Sequence, residues 1–288
     1  MLNNNEKFQL KKFLPEAGLT AFQKVLELTQ AQVNSRELWL KLGHSLFLVG
    51  DYDSSGRFGV WETSGKKTNR VKTHYHPDCW EFVSNWCRNN DGGVFFIPTQ
   101  PIRYPLKDYI KFSDDIAAEL DDGTQIEQWD KIEGFIELSG LKPAYIIHSG
   151  SKSYHPHWKA TKHLPIEQTI YLRRLLCIAL NSDPAVTNPH QPMRMAGFYR
   201  REKDREQTLC YWSNCRYSYD DLIIGFKAYF TANNISFPEH ISDDRWRLWK
   251  RLGNEVLTLT KAELYPQSQA LDLTVVSSIY QGEIPLIV

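Results

Sequence analysis

The stretch 111–200 alternates between strand-like and helix-like patterns, and this order restricts the possible folds more than any other feature of the chain. Thr124 and Glu127 have the spacing of a capping box, and Gly140 lies where that helix should stop. Pro165 lies in the first turn of a second helix. In chain order we predict a strand, a helix, two strands, a helix and a strand, over 111–121, 122–140, 143–149, 153–159, 165–181 and 194–200.

A β-α-β-β-α-β order indicates the ferredoxin-like (RRM-like) arrangement, which is an α+β fold. Its antiparallel sheet carries both helices on one face, so we expect the other face to be free for a ligand. In this topology the ends of neighbouring strands meet, although they are far apart in sequence. Polar residues at those ends are therefore candidates for one common site.

Further elements are predicted on both sides of this core. An N-terminal α/β module over about residues 1–92, with a helix over 19–33, joins a core over about 93–201 to form one domain. A charged break then suggests a boundary near residue 201, and residues 202–288 are predicted to be a mostly helical accessory segment. The apolar ending "IPLIV" predicts that the chain leads into a further domain.

Composition limits the class of protein. Of 288 residues 42% are hydrophobic and 24% charged, and the formal net charge is zero, which is typical of a globular protein without an overall basic field. Any nucleic-acid surface must then be a local patch. No signal peptide or membrane-length apolar run is found, and five cysteines without a close pair argue against a disulfide framework. These features predict a cytoplasmic protein that does not associate with membranes.

Carboxylates are concentrated where the first core strand ends. Glu119 and Asp121 are two residues apart, so on a strand both point to the same face. Two carboxylates on one face repel each other unless a cation lies between them, and Mg²⁺ prefers such oxygen ligands. Asp183 follows the second helix and could complete a site for two metal ions. The alternative is that the run around them is a solvated acidic edge.

A glycine-containing turn, "SGSKSYH", lies between the third and fourth predicted elements. Backbone N–H groups around Gly150 would favour an anion, and Lys152 adds a point charge suited to phosphate. The serines of the turn add hydroxyl donors, and His155 lies on the same strand face as Ser153. The turn therefore predicts a phosphate-bearing ligand, with an ordinary polar hairpin as the alternative.

The acidic strand end, the "SGSKSYH" turn and the later "SDPAV" together resemble the archaeo-eukaryotic primase superfamily, in particular the primase–polymerases of prokaryotic plasmids and phages. The resemblance covers roughly residues 95–200. Its first motif falls on Glu119 and Asp121, its Ser-x-His motif on Ser153 and His155, and its lone acid on Asp183. The first motif departs from the usual Asp-x-Asp or Asp-x-Glu, and acidic neighbours at 114, 115 and 122 leave its register open.

The resemblance implies a template-dependent DNA primase or polymerase. Two Mg²⁺ or Mn²⁺ ions would be held by Glu119, Asp121 and Asp183. The incoming nucleoside triphosphate would be bound by Ser151, Lys152, Ser153, His155 and Arg194, of which Arg194 follows from the "RMAGFYR" strand alone. The expected partners are a single-stranded DNA template and a helicase domain or protein.

Two other functions remain open. A ferredoxin-like sheet can be a non-catalytic platform for single-stranded nucleic acid, but an acidic cluster would repel phosphate without metal. A metal-dependent nuclease would use the same ions without needing a triphosphate site.

Three further motifs predict ordinary structure. Cys79 and Cys87 are eight residues apart on a predicted helix and are expected to be core rather than zinc ligands. "SGKKTN" does not match a P-loop. Trp246 and Trp249 lie three apart beside basic residues, which favours a buried helix face with a basic flank over a single-strand binding surface.

Overall fold

The computed structural model describes residues 47–52, 58–61, 67–68, 74–75, 80–99, 107–213 and 215–252. The predicted helix over 19–33 lies outside these ranges, as do Cys79 and the end of the chain. The first sheet contains β1 (Phe47–Tyr52), β2 (Phe58–Trp61), β3 (Lys67–Thr68), β4 (His74–Tyr75), β5 (Gly93–Phe96) and β9 (Met193–Arg194). The strand order is β3-β2-β1-β5-β9, and β4 also pairs with β1.

A short helix, α1 (Trp80–Asn89), leads into β5. Val83 and Cys87 are four residues apart on one side of α1, and both are fully buried. Cys87 is therefore a core residue, as its helical spacing predicts. Burial raises the pKa of its thiol to about 12, so the thiol stays protonated and unreactive.

The second sheet contains the predicted core. Its strands are β6 (Phe112–Ala117), β7 (Tyr145–His148), β8 (Tyr154–Pro165), β10 (Phe198–Arg200), β11 (Arg205–Trp212) and β12 (Arg216–Tyr217). The order is β10-β11-β7-β8-β12, and β6 pairs with β8. β7 and β8 form an antiparallel hairpin, and β6 is antiparallel to β8. The β-α-β-β-α order of the core and the α+β class are thus confirmed.

Two helices connect these strands, α2 (Gln125–Ser139) and α3 (Ile166–Leu180). The capping box of Thr124 and Glu127 is present, and Gly140 ends α2 in the left-handed conformation with φ 73°. Pro165 is the residue before α3 rather than part of its first turn. A further helix, α4 (Tyr219–Ala232), packs on α2 through contacts of Phe135 with Phe226 and Tyr229.

Side chains alternate along β8 between two buried layers. Tyr154 and Trp158 point to α2, where they meet Trp129 and Phe135 edge-on at ring-centroid distances of 5.0 and 5.3 Å. His157 points to the other side and stacks between Tyr145 at 4.4 Å and Phe96 of β5 at 5.7 Å.

The expected free face of the core sheet is therefore covered at this place, and the expectation of an open platform is wrong for it. The first sheet, whose strand β5 carries Phe96, supplies the covering layer. A shared core lies between the sheets and combines Val94, Phe96 and Met193 with Tyr145, Ile147, Phe198 and Leu209.

The predicted strand over 194–200 is two strands in different sheets. Met193–Arg194 pairs with β5, whereas Phe198–Arg200 pairs with β11. Gly197 turns the chain between them at φ 92°. Gln207 of β11 joins the two sheets: its amide donates to Val94 O at 2.9 Å and Met195 O at 2.8 Å, and its carbonyl accepts from Val94 N at 3.3 Å.

The chain divides into two compact units, residues 1–233 and 234–288, whereas the sequence suggests a soft boundary near residue 201. β11 and β12, which follow that position, pair within the core sheet. The second unit contains α5 (Asp243–Leu252), in which Trp246 and Trp249 are buried and stack at 4.7 Å, so these rings are not available as a nucleic-acid surface. No helix among the described residues is long and apolar enough to span a membrane.

Candidate functional site

The first two acids lie on an extended continuation of β6. Leu120 forms an antiparallel bridge with Tyr154, with hydrogen bonds of 2.9 and 3.1 Å in the two directions. Leu120 is buried, whereas its neighbours Glu119 and Asp121 are partly exposed. The alternation expected for positions i and i+2 is therefore observed, and both carboxylates lie on the side opposite Leu120.

The third acid is joined to the first through the main chain. The backbone N–H of Asp183 donates to Glu119 O at 2.8 Å. Its carboxylate caps a short 3₁₀ helix (Pro184–Thr187) by accepting from the Ala185 N–H at 2.8 Å. The pKa of Asp183 is raised, first by burial and then by the negative charges of Glu119, Asp121 and nearby Asp122. The acids are therefore close enough for their negative charges to repel one another.

Two basic side chains contact the acids. Lys152 Nζ lies 3.3 Å from Asp121 Oδ2, and His155 Nε2 lies 3.4 Å from Glu119 Oε1. Burial would raise the pKa of Glu119, but His155, Arg194 and Lys152 together outweigh it, so the pKa of Glu119 is lowered. Glu119 is therefore ionised at neutral pH.

The turn between β7 and β8 is closed by Ser149 and Ser153. Ser149 N–H donates to Ser153 O at 2.9 Å, and Ser153 N–H donates to Ser149 Oγ at 3.2 Å. Gly150 has φ 72°, a left-handed conformation that suits glycine. Within the described ranges, the N–H groups of the three residues 150–152 have no protein acceptor. Three such donors beside the Lys152 ammonium form a cationic turn whose free N–H groups suit an anion.

Arg194 reaches the site from the other sheet. It lies on β9, and its guanidinium carbon is 4.2 Å from the ring centroid of Phe95. Gly93, two residues before Phe95 on the same strand face, leaves space for this guanidinium: a Cβ there would lie 2.6 Å from Arg194 Nη1. The structure thus brings the acids, Lys152, His155 and Arg194 together, and Ser151 and Ser153 lie in the turn itself, where their role in nucleotide binding stays a prediction.

A buried polar network supports the strand that carries the acids. Asp115 is fully buried; it accepts from Tyr145 Oη at 2.8 Å and lies 2.9 Å from His157 Nδ1, with Lys159 and Arg173 at 3.5 and 3.9 Å. Burial alone would raise the pKa of Asp115, but these groups hold it well below its usual range. Burial lowers the pKa of His157, which is therefore neutral and donates a hydrogen bond.

This network concerns two of the three acidic neighbours, Asp114 and Asp115, that leave the register of the first motif open. Asp115 is enclosed and fully paired, and Asp114 pairs with Lys159 at 2.6 Å and Arg216 at 3.0 Å. Neither acid is available to a ligand at the strand end. Glu119, Asp121 and Asp122, which follow β6, remain, and the negative charges of all three raise the pKa of Asp183.

The donor chemistry fits hard divalent cations, because the negative charges of Glu119 and Asp121 act on Asp183 and this repulsion would be relieved by positive charge. In the part of the chain that the structure describes, no three His, Cys, Asp or Glu side chains are close enough to hold one metal ion together. Each carboxylate is instead turned to its own partner: Glu119 to His155, Asp121 to Lys152, and Asp183 to the Ala185 N–H. Shared coordination would require rotation of these side chains about their anchored main chain.

Two residues beside the turn are not apparent from sequence. Arg200 and Glu202 fall in the "RREKDREQ" stretch, which looks like a charged break between domains. In the structure Arg200 is only 5% exposed and donates to Ser149 O at 3.2 Å. In the sequence, the only feature that could have drawn attention to these two residues is the apolar strand before them.

The chain has two packed sheets, acids at a strand end and a cationic turn beside them. Its fold is the α+β fold of the archaeo-eukaryotic primase (AEP) domain. The AEP domain of the cyanophage S-2L primase-polymerase is 17% identical with a TM-score of 0.51, over 67% of this chain and 96% of that domain. The likeness predicted from the motifs is thereby confirmed at the level of the fold.

Two further solved structures are similar. The catalytic domain of primase RepB′, in complex with initiator DNA, is 17% identical with a TM-score of 0.44, over 71% of this chain and 96% of that one. A second RepB′ primase structure is 14% identical with a TM-score of 0.43, over 85% of this chain and 88% of that one. No model of a protein family and no curated protein sequence matches the chain.

Proposed function

We propose that this chain is a template-dependent nucleotidyltransferase that joins nucleotides to a 3′-hydroxyl or forms the first dinucleotide, with release of pyrophosphate. The observation that carries this proposal is the position of the cationic turn directly against the acids, through the 3.3 Å contact of Lys152 with Asp121. A triphosphate and divalent cations are a ligand pair whose charges match those two halves.

Each half of the site has its own task. Glu119, Asp121 and Asp183 would hold two Mg²⁺ or Mn²⁺ ions, which lower the pKa of the attacking hydroxyl and neutralise charge on the phosphoryl oxygens. The amides of the turn and Lys152 bind the triphosphate, and Arg194 approaches it from β9. His155, which the resemblance places at the incoming triphosphate, is 2% exposed and contacts Glu119, so it would link the two halves of the site.

The covered sheet face weighs against the non-catalytic alternative. A platform for single-stranded nucleic acid stacks bases on exposed rings of the sheet. Here Tyr145 and His157 occupy that face, and both are fully enclosed under Phe96. The template must therefore reach the site along its rim. A helicase partner stays an expectation.

The test is nucleotide incorporation on primed and unprimed single-stranded DNA, with each sugar type and with Mg²⁺ or Mn²⁺. Asp121→Ala and Asp183→Ala should each abolish incorporation with the fold intact, because a methyl group cannot replace an anionic ligand. Asp130→Ala, which removes an exposed carboxylate from α2, is the matched control and should leave incorporation unchanged. Incorporation at the wild-type rate by either site variant contradicts the assignment, and metal-dependent cleavage without incorporation would identify a nuclease.

A further inference from the structure

The outer side of the cationic turn lies against a buried guanidinium. Arg200 Nη1 donates to Ser149 O at 3.2 Å. A Cβ on Gly150 would lie 2.9 Å from Glu206 O and 3.3 Å from Arg200 Cδ, so the absence of a side chain allows this close approach. Arg200 therefore contacts the turn from within the protein.

This contact determines the direction of one of the anion-binding donors. The carbonyl of Ser149 and the N–H of Gly150 belong to the same planar trans peptide, so they point in opposite directions. Since Ser149 O points to Arg200, the Gly150 N–H points away from it. Loss of the Arg200 contact would let this peptide rotate, and a rotated peptide would present a carbonyl oxygen to the phosphate.

Arg200 is itself held in one orientation. Its Nε and Nη2 both donate to Glu202 Oε1, at 2.8 and 2.7 Å. The second oxygen of Glu202 accepts from the Gly92 N–H at 3.1 Å, which ties the pair to the loop between α1 and β5. The planar fork of an arginine makes such an arrangement directional, whereas a lysine could not reproduce it.

Stability alone does not account for this pair. Arg200 is 5% exposed whereas Glu202 is exposed, and burying an arginine costs solvation energy that the attraction of its partner often only offsets. What the pair adds is a defined geometry for the atoms bonded to it, and here those atoms belong to the turn and to the Gly92 amide.

We propose that Arg200 and Glu202 are positioning residues that hold the Ser149–Gly150 peptide in the orientation needed to bind the phosphates of the incoming nucleotide. They act through the main chain and do not touch the ligand. This inference rests on the proposed nucleotidyltransferase function, and it adds two residues to the set of side chains on which nucleotide binding depends.

The experiment compares full-length wild type with Glu202→Gln, which keeps the shape of the side chain but removes its charge. We expect the KM for the incoming nucleotide and the inhibition constant of inorganic pyrophosphate each to rise about tenfold, because small misplacements of binding groups are costly. The dissociation constant for single-stranded DNA template should stay within about twofold, since the peptide serves only the phosphate side. If the pair served folding alone, its loss would not raise the nucleotide KM and the pyrophosphate inhibition constant while leaving the DNA dissociation constant unchanged.

Arg201→Gln is the matched control. Arg201 is adjacent in sequence and pairs with Asp91 at 2.8 Å, but this pair is exposed and does not contact the turn. It should leave all three constants unchanged. Arg200→Lys is the second variant, which keeps the charge but loses the fork, and it should raise the nucleotide KM as Glu202→Gln does.

The possible outcomes separate the two proposals. If wild type incorporates nucleotides and both variants keep its KM and pyrophosphate inhibition, the positioning role is wrong and the proposed function stands. If both variants fail to fold, the pair serves the fold itself and the positioning role is again overturned. If wild type neither incorporates nor binds nucleotides, the proposed function fails and the inference fails with it.

Discussion

Replacing Gly93 with alanine should impair catalysis by displacing Arg194. The added Cβ would lie 2.6 Å from Arg194 Nη1 and would also overlap the side-chain oxygen of Gln207. The Gln207 oxygen is the nearer of the two and must shift as well, but three hydrogen bonds to Val94 and Met195 restrain it, so we expect the guanidinium to take up most of the displacement. It must retreat by about 0.8 Å to restore an ordinary contact of 3.4 Å.

A displacement of this size in a group that binds substrate costs between about tenfold and a hundredfold in rate. We therefore expect kcat/KM for single-nucleotide incorporation to fall by that factor in Gly93→Ala, which corresponds to about 1.4 to 2.7 kcal/mol of lost transition-state stabilisation. Overpacking should lower the free energy of unfolding by about 1 to 3 kcal/mol. Steady-state kinetics on a primed template and urea unfolding measure the two effects separately.

A double-mutant cycle tests the cause. In an Arg194→Ala background the clash with the guanidinium no longer exists, so the kinetic effect of Gly93→Ala should largely disappear. Gly134→Ala is the control, because a Cβ at that helical position meets nothing within 4 Å. It should stabilise the fold by up to about 1 kcal/mol and leave the kinetics unchanged. Fully additive kinetic losses for Gly93 and Arg194 would refute the reasoning.

Three further predictions follow from the site and its support. His155→Ala should weaken binding of the incoming nucleotide more than binding of template, and a loss confined to template affinity would contradict the assigned ligand. Asp115→Asn should lower the free energy of unfolding at pH 7 by about 3 to 5 kcal/mol, because it leaves the buried guanidinium of Arg173 without a carboxylate. The folded-state pKa of Asp115 is lowered, so its contribution is present above the unfolded pKa near 4 and is lost as the pH falls towards the folded pKa. Denaturant unfolding from pH 7 to 3 should therefore show a shallower acid loss for the variant than for wild type. Finally, the chain should show no DNA-stimulated ATP hydrolysis in preparations that incorporate nucleotides, and robust hydrolysis would reveal a motor.

Local signals in the sequence were sufficient for the core elements and for much of the site. Capping boxes, turn glycines and strand alternation act over a few residues, so α2, the turn at Gly150 and the facing of Glu119 and Asp121 could be predicted. The resemblance of motifs then placed Asp183 beside them, and the main-chain bond between Asp183 and Glu119 agrees with that placement.

Features that depend on distant partners could not be predicted in this way. Gln207 bonds to Val94 across 113 positions, and Glu202 bonds to Gly92 across 110, so neither pairing leaves a local pattern. The stretch 194–200 has an ordinary strand composition, and only the two different partners, β5 and β11, divide it. The covered sheet face likewise depends on where β5 of the first sheet packs.

The hydrogen bond from the Asp183 N–H to Glu119 O has a consequence for how this type of site can vary. The spacing between these two acids is determined by peptide groups, which every non-proline residue possesses. A change of side chain at either position therefore alters only the reach of a carboxylate, not the register of the segments that carry it. Substitution of the usual aspartate by Glu119 becomes a difference of one methylene in an otherwise constant frame. Alignments of distant relatives should therefore superpose the backbone segments that carry Glu119 and Asp183 first, and compare the acidic side chains at these positions second.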